Sequence, residues 1–361
     1  MERLTPLPWQ QDLWSQLASW RERLPHALLL HGGRGLGKRR LMHAYSQLLL
    51  CESPAQDVPC GRCAGCQLIA ADNHPDLRCL TPAALMPERD DVDSAGDGVQ
   101  PDRAETRSTK AKPSREIVID QVRKISEFLS ISSHRGGRRV VLLLPAEALN
   151  APAANALLKV LEEPPQGAAF LAVSDQLDAV LPTILSRCVL LRAPVPSHAQ
   201  ALAWLQSNGV EQAEKKLAEA GGAPLCVEGE SKLDPRQMLD PALHAALLKL
   251  LSRGGAITGA EIVSTVPKEI AVAPAIRLLQ RWGWDLLAER LAGRVRYYPH
   301  HQRQFAALGR TVEPARVVEW TAALAQMQAV SDHPLNARLV IESALLGYAD
   351  AMRPQGAVQA R

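Results

Sequence analysis

Aromatic residues are scarce in this chain: Trp, Tyr and Phe together make up 4% of its 361 positions. Leu, Ala, Val and Ile must then fill the core, which favours a helix-rich build. Long apolar runs are missing as well. None approaches the roughly 18 residues of a membrane span, and the start, Met1-Glu2-Arg3-Leu4-Thr5-Pro6, lacks a signal-peptide core, so the expected location is cytoplasmic. Net charge is small, at +3. That excludes a general polyanion binder and leaves nucleic-acid contact to a local patch or to shared surfaces. There is no fixed-period repeat. Hydrophobic residues at 47% and charged residues at 22% exclude a wholly disordered or collagen-like chain, and the length points to two or three domains.

The first two-thirds alternates short apolar runs with helical spacing. Ala27–Leu30, Val140–Leu144, Ala169–Val173 and Cys188–Leu191 are strand candidates of the continuously buried kind. Between them Leu41, Tyr45, Leu48 and Leu49 recur at helical spacing. Asn150 with Pro152 opens a second helix that carries Ala156, Leu157, Val160 and Leu161 and stops at Pro164-Pro165. The alternation predicts an α/β domain with a parallel sheet covered on both faces. Met86–Glu116 breaks the pattern, with acids clustered first and bases after them, and no aromatic, Leu or Ile. It is expected to be a disordered insertion, either a solvated linker or a charged arm. Beyond Ser197 the strand signals fade into helices at Ala199–Leu205, Glu211–Ala220, Ala242–Leu251, Ala273–Leu291 and Ala315–Met327, and the tail from Pro354 is expected to fray.

Gly32-Gly33-Arg34-Gly35-Leu36-Gly37-Lys38 fits G-x-x-x-x-G-K between a strand and a helix. In such a loop, glycines turn backbone N–H groups toward an anion at a helix N-terminus and the lysine adds a point charge. Two parts of a hydrolytic site are missing. Arg39 stands where Ser or Thr would ligate magnesium, and Leu144 and Pro145 end the later strand where carboxylates would hold the metal. Glu147 lies further along, in a turn expected to aim it elsewhere. Phosphoryl transfer depends on positioning and charge neutralisation, so no magnesium site and no intrinsic ATPase are expected. For Gly32, Gly35, Gly37 and Lys38 two readings stay open: residual nucleotide binding, or a retained turn whose lysine is solvated or paired.

Cys51, Cys60, Cys63 and Cys66 are spaced C-x8-C-x2-C-x2-C. Four thiolates at about 2.3 Å suit a structural zinc ion with no open position. An iron–sulfur cluster fits less well because the usual fourth cysteine and proline are missing, and free thiols are the remaining alternative. Cys79, Cys188 and Cys226 are expected to be small buried hydrophobes. Arg187, in Ser186-Arg187-Cys188, is a surface charge, a salt-bridge partner or an arginine finger. Arg294, Arg296, Tyr297, Tyr298, His300, His301 and Arg303 form a basic patch with aromatics. It could track nucleic acid, or be a helix end on an oligomer surface.

The order of these features narrows the choice. The helix Asn155-Ala156-Leu157-Leu158-Lys159-Val160-Leu161-Glu162-Glu163-Pro164-Pro165, followed by Ser186-Arg187-Cys188, resembles the clamp-loader branch of the AAA+ proteins. The four-cysteine insertion after the phosphate-loop helix is similar to that of its bacterial members. The resemblance implies an AAA+ α/β domain over 1–194 with a zinc module at 51–66 and an insertion at 86–116. A small helical lid over 195–232 and an all-helical collar for oligomerisation over 233–361 would follow. It further implies a non-hydrolysing member of a five-membered ring, accessory to DNA polymerase III, with gamma/tau and delta subunits as neighbours. The sliding clamp and primed DNA would be met through the complex. Arg187 would complete a neighbour's ATP site, and Pro224 replaces a nucleotide-sensing arginine of active members. The alternatives are a self-sufficient ATPase using Lys38 with displaced acids such as Glu147, and a stand-alone zinc-containing DNA-binding protein.

Overall fold

The computed structural model describes residues 5–85, 114–131, 133, 134, 137–228, 239–310, 312–329 and 337–353. The expected insertion at 86–116, apart from its last three residues, and the expected fraying tail from 354 lie outside them. Contacts divide the chain into two compact units, Met1–Gln200 and Ala201–Arg361.

The first unit holds α1 (Gln11–Ser19), β1 (Ala27–His31), α2 (Lys38–Leu50), α3 (Ala64–Ala70), β2 (Leu77–Leu80), α4 (Ile119–Ser130), β3 (Arg139–Leu143), α5 (Ala151–Glu162), β4 (Ala168–Ser174), α6 (Pro182–Leu185) and β5 (Val189–Arg192). The strands lie in the order β2-β3-β4-β1-β5 and every pairing is parallel. Alternation along each strand divides the apolar side chains between two layers. Leu28, Leu30, Val140, Leu142 and Leu171 pack with Trp14, Leu17, Leu41, Tyr45 and Leu48 of α1 and α2. Leu29, Val141, Leu143 and Phe170 pack with Val122, Ile125, Leu157, Leu161 and Ile184 of α4, α5 and α6. Both faces are covered, which is why the central strands read as unbroken apolar runs.

Several elements escape the sequence pattern, among them β2 and α4, as well as the short helices α1, α3 and α6. β2 is one of the two edge strands, with Arg78 and Cys79 exposed and only Leu80 buried, so it shows no apolar run. β5, the other edge, corrects the expectation of a continuously buried strand at Cys188–Leu191, because Val189 and Leu190 are exposed and only Leu191 is buried. Cys79 therefore corrects the expectation of a buried small hydrophobe: an edge strand leaves it in solvent. Cys188 and Cys226 are only half-buried. The helix α4 buries Val122, Ile125 and Leu129, a helical spacing that the sequence reading did not single out. The start of α5 follows its expectation. Asn150 caps it by accepting a hydrogen bond from the Ala153 N–H at 3.0 Å, with Pro152 in the first turn where no N–H is needed.

The second unit is helical throughout its described residues. It contains most of α7 (His198–Ser207), then α8 (Ala213–Glu219), α9 (Pro224–Glu228), α10 (Pro241–Leu251), α11 (Gly259–Thr265), α12 (Val272–Ala292), α13 (Gln302–Gly309), α14 (Pro314–Ala329) and α15 (Ala337–Ala351). Its main core surrounds Trp282, whose indole N–H donates to Tyr348 Oη at 3.0 Å; that hydroxyl donates to Leu251 O at 2.8 Å. A small separate cluster joins Ala201, Leu205, Ala213 and Leu217. No helix among the described residues is long and apolar enough to cross a membrane.

Candidate phosphate loop and cysteine centre

The glycine-rich loop leaves the carboxyl end of β1, which lies between β4 and β5. This is the sheet end at which open α/β folds bind ligands. Gly35 and Gly37 take φ of +72° and +83°, left-handed values that favour glycine, and Gly37 leads directly into α2. From the other side the loop is held by the chain start. Trp9 Nε1 donates to Leu36 O at 3.1 Å, and Gln10 Nε2 donates to Leu36 O at 2.9 Å and Gly37 O at 3.1 Å.

Lys38 is buried, at 3% exposure. Its Nζ donates to Gly32 O at 2.8 Å and Gly33 O at 2.6 Å, and pairs with Asp175 Oδ1 at 2.6 Å. Arg34 Nε approaches the other Asp175 oxygen at 3.4 Å. Asp175 follows the last residue of β4, and its N–H donates to Glu147 Oε1 at 2.9 Å. The turn after β3 carries the Glu147 carboxylate across to the tip of β4. The sequence reading missed Asp175, whose one signal was an acid at the end of a central strand. Leu144 is buried in the core and offers no metal ligand, nor does Arg39, whose charge is felt at His43 and Cys79. Burial holds the His31 imidazole below its ordinary pKa, and the Arg192 and Lys38 charges push it further down.

Arg187 sits at the other end of the sheet. β5 runs parallel to β1, with Leu28 opposite Val189 and His31 opposite Arg192. The phosphate loop follows His31 whereas Arg187 precedes Val189, so roughly 10 Å of strand separates the two ends at about 3.3 Å per residue. The guanidinium pairs with Glu162 Oε1 at the end of α5, and donates to Thr183 O at 2.9 Å and Ser186 Oγ at 3.2 Å. Both partners are partly exposed, at 31% and 49%, so this ion pair is worth about 1 kcal/mol or less.

The four cysteines converge. Cys51 directly follows α2, Cys60 and Cys63 lie in the loop after it, and Cys66 is in the first turn of α3; their sulfurs all lie within 4.8 Å of one another. Cys51 Sγ and Cys63 Sγ are 3.9 Å apart, close to the roughly 3.8 Å edge of a tetrahedron with 2.3 Å metal–sulfur bonds. Backbone N–H groups of Cys60, Cys63 and Cys66 donate to the sulfurs of Cys51, Cys60 and Cys63 at 3.3, 3.3 and 3.4 Å. The N–H groups of Arg62 and Cys63 bring the Cys60 thiol down to about 6, while burial pushes the Cys51 and Cys66 thiols up. Gly65 has no room for a side chain, because a Cβ there would stand 2.7 Å from Leu50 O. The donor set can hold a metal such as zinc.

The basic patch is a turn organised from inside. The buried Asp285 carboxylate accepts hydrogen bonds from the N–H groups of Arg296, Tyr297 and Tyr298 at 2.7–3.1 Å. Tyr298 is buried at 3% exposure, and Tyr297 lies under Arg281 and Arg296. Arg294, Arg296, His300 and Arg303 are exposed. The Gly221-Gly222 turn takes φ of +73° and +88°, and Pro224 is the first residue of α9.

Together these features define a class: a parallel α/β protein with a phosphate-type loop after its first strand and a four-cysteine centre after the next helix. Comparison with known proteins supplies the family. The profile described as "DNA polymerase III, delta subunit" matches residues 9–196. The DNA polymerase III subunit delta' of Pseudomonas aeruginosa is 43% identical over 225 residues, 61% of this chain and 60% of that protein. The subunit of the same name from Yersinia pestis is 33% identical over 297 residues, 79% of this chain and 76% of its own length. The Escherichia coli subunit is 34% identical over 213 residues, 58% of this chain and 55% of that one. The chain belongs to the family of DNA polymerase III delta-prime subunits. Its match spans about 60% of the length of the Pseudomonas and Haemophilus relatives. A gamma subunit-related protein of DNA polymerase III from Thermotoga maritima, 20% identical over 94% of this chain and 99% of that one, superposes with a TM-score of 0.46.

Proposed function

We propose that this chain is a non-hydrolysing ring subunit of the DNA polymerase III clamp loader. It would assist ATP-driven loading of the sliding clamp onto primed DNA and donate Arg187 to the ATP site of a gamma/tau neighbour. One observation carries the reading: Arg187 and the phosphate loop lie at opposite ends of the same parallel sheet. An arginine there cannot serve the loop of its own chain, but it can be presented to another. Its partly exposed pairing with Glu162 supports the reading, because such a pair can exchange a carboxylate for a phosphate. The chain's own loop supports the second half of the reading, since Lys38 is paired internally and neither Arg39 nor Leu144-Pro145 offers a magnesium ligand.

In this reading Cys51, Cys60, Cys63 and Cys66 hold structural zinc. Residues 195–232 are the lid, supported by the small cluster around Leu205 and Leu217, and 233–361 are the collar. Gamma/tau and delta are the neighbours, and the setting is cytoplasmic. The test is reconstitution with gamma/tau and delta subunits. Arg187→Ala is expected to lower the DNA-stimulated ATPase and clamp loading of the complex by at least about 10³-fold at the completed site, while the isolated chain turns over no ATP. Normal rates from the Arg187→Ala complex would overturn the role of Arg187. Magnesium-dependent turnover by the isolated chain, lost in Lys38→Ala, would favour a self-sufficient ATPase.

A further inference from the structure

We infer that Asp175 is an internal anion filling the phosphate loop, so that the chain blocks its own residual polyphosphate site and one carboxylate sets whether the loop takes a ligand. The inference rests on the reading of a non-hydrolysing loop and goes beyond it. Missing magnesium ligands explain the lack of turnover, but they do not explain a lack of binding, because the glycines and Lys38 that cradle an anion are all present.

The geometry accounts for every donor of the lysine. An ammonium group has three N–H donors, and at Lys38 all three are spent, on Gly32 O, Gly33 O and Asp175 Oδ1 at 2.6–2.8 Å. The lysine side chain is buried, while the Asp175 carboxylate is partly exposed, at 31%. Arg34, the loop's other cation, approaches the second Asp175 oxygen. Asp175 does not drift into this position: its N–H is fixed by Glu147, and Ser174 before it is buried at the end of β4. The carboxylate meets both loop cations, as a phosphate group would. The loop itself is held from behind by Trp9 and Gln10, so a ligand meets a formed cradle whose charge is already neutralised. A ligand must displace Asp175, and a latch closed more than about 90% of the time weakens apparent binding about tenfold or more.

The chemistry it would accept is a polyphosphate, free or carried by a nucleoside. The experiment uses the full-length chain without magnesium and measures binding of a fluorescent ATP analogue, with inorganic triphosphate and adenosine as separate competitors. Asp175→Asn removes the charge and keeps the shape. It should bind the analogue at least about tenfold more tightly than wild type, lose that gain when Lys38→Ala is added, and be competed by inorganic triphosphate. Equal binding by wild type and Asp175→Asn, a gain that survives Lys38→Ala, or competition by adenosine alone would each overturn the inference. Asp175→Ser serves as a second variant, with unfolding midpoints measured for both. Should neither fold, acetylation of wild-type Lys38 with and without micromolar inorganic triphosphate decides: unchanged labelling is expected of a closed latch, and protection of Lys38 by the triphosphate overturns it. ATP turnover by wild type would instead overturn the non-hydrolysing reading, so the two failures are distinct.

Discussion

Asp285 shows how one side chain can organise a surface. Its carboxylate is fully buried and accepts three consecutive backbone N–H groups at the start of the arginine-rich turn. Asp285→Ala would remove the acceptor of all three, and the buried Tyr298 N–H left unpaired costs about 1–3 kcal/mol. The expected loss is about 1–3 kcal/mol in urea denaturation, and Asp285→Asn, which keeps an acceptor oxygen, should lose less. Histidines set a pH dependence. Burial is the first cause holding His31, His43 and His244 below the ordinary 6.5. The folded chain then binds fewer protons than the unfolded chain as pH falls, so stability is full above 6.5 and declines below it. The urea midpoint should be lower at about pH 5.5 than at about pH 7.5, and His43→Gln should narrow the difference. An unchanged midpoint would mean these imidazoles charge freely in the folded chain.

At the scale of elements, the packing of α12 on α14 rests on a glycine. A Cβ at Gly283 would stand 2.6 Å from Thr321 Cγ2 and 2.9 Å from the Trp320 ring. Helix propensity favours Gly283→Ala by about 1 kcal/mol, whereas overpacking costs about 1–3 kcal/mol. The contact is expected to win, so the variant should melt lower; a higher melting temperature would show that Trp320 can shift at little cost. The cysteine centre is an element of a different kind, in which four convergent thiols that can hold a metal tie the end of α2 to the start of α3. Purified chain should carry about one zinc ion, and Cys63→Ser should bind less and lose hydrogen-exchange protection in α3 while β1, β3 and β4 keep theirs. Full zinc content in Cys63→Ser would remove that cysteine from the ligand set.

Across the whole molecule, each unit has its own core: the layers around the sheet in one and the shell around Trp282 in the other. A defect should stay within its unit. Asp285→Ala is expected to raise hydrogen exchange in α12 and α13 and leave the five strands unchanged; loss of protection in the sheet would show that the two units unfold together.

Much of this was legible in the amino-acid sequence because it is local. The phosphate-type loop, the Asn150 cap and the cysteine spacing each depend on residues within a few turns of one another, and the central strands declare themselves because burial on both faces leaves no polar alternation. The edge strand β2 did not, since Arg78 and Cys79 face solvent. The amino-acid sequence alone determined which chemical groups are present and which are missing: a lysine without a magnesium ligand after it, four clustered thiols, and an arginine before the last strand. Tertiary structure decided what those groups meet. Lys38 and Asp175 are far apart in the chain and adjacent only because β4 pairs with β1. Arg187 lies away from its own loop only because β5 runs parallel to β1. Strand order and direction come from burying both faces of a sheet at once, and no local spacing encodes them.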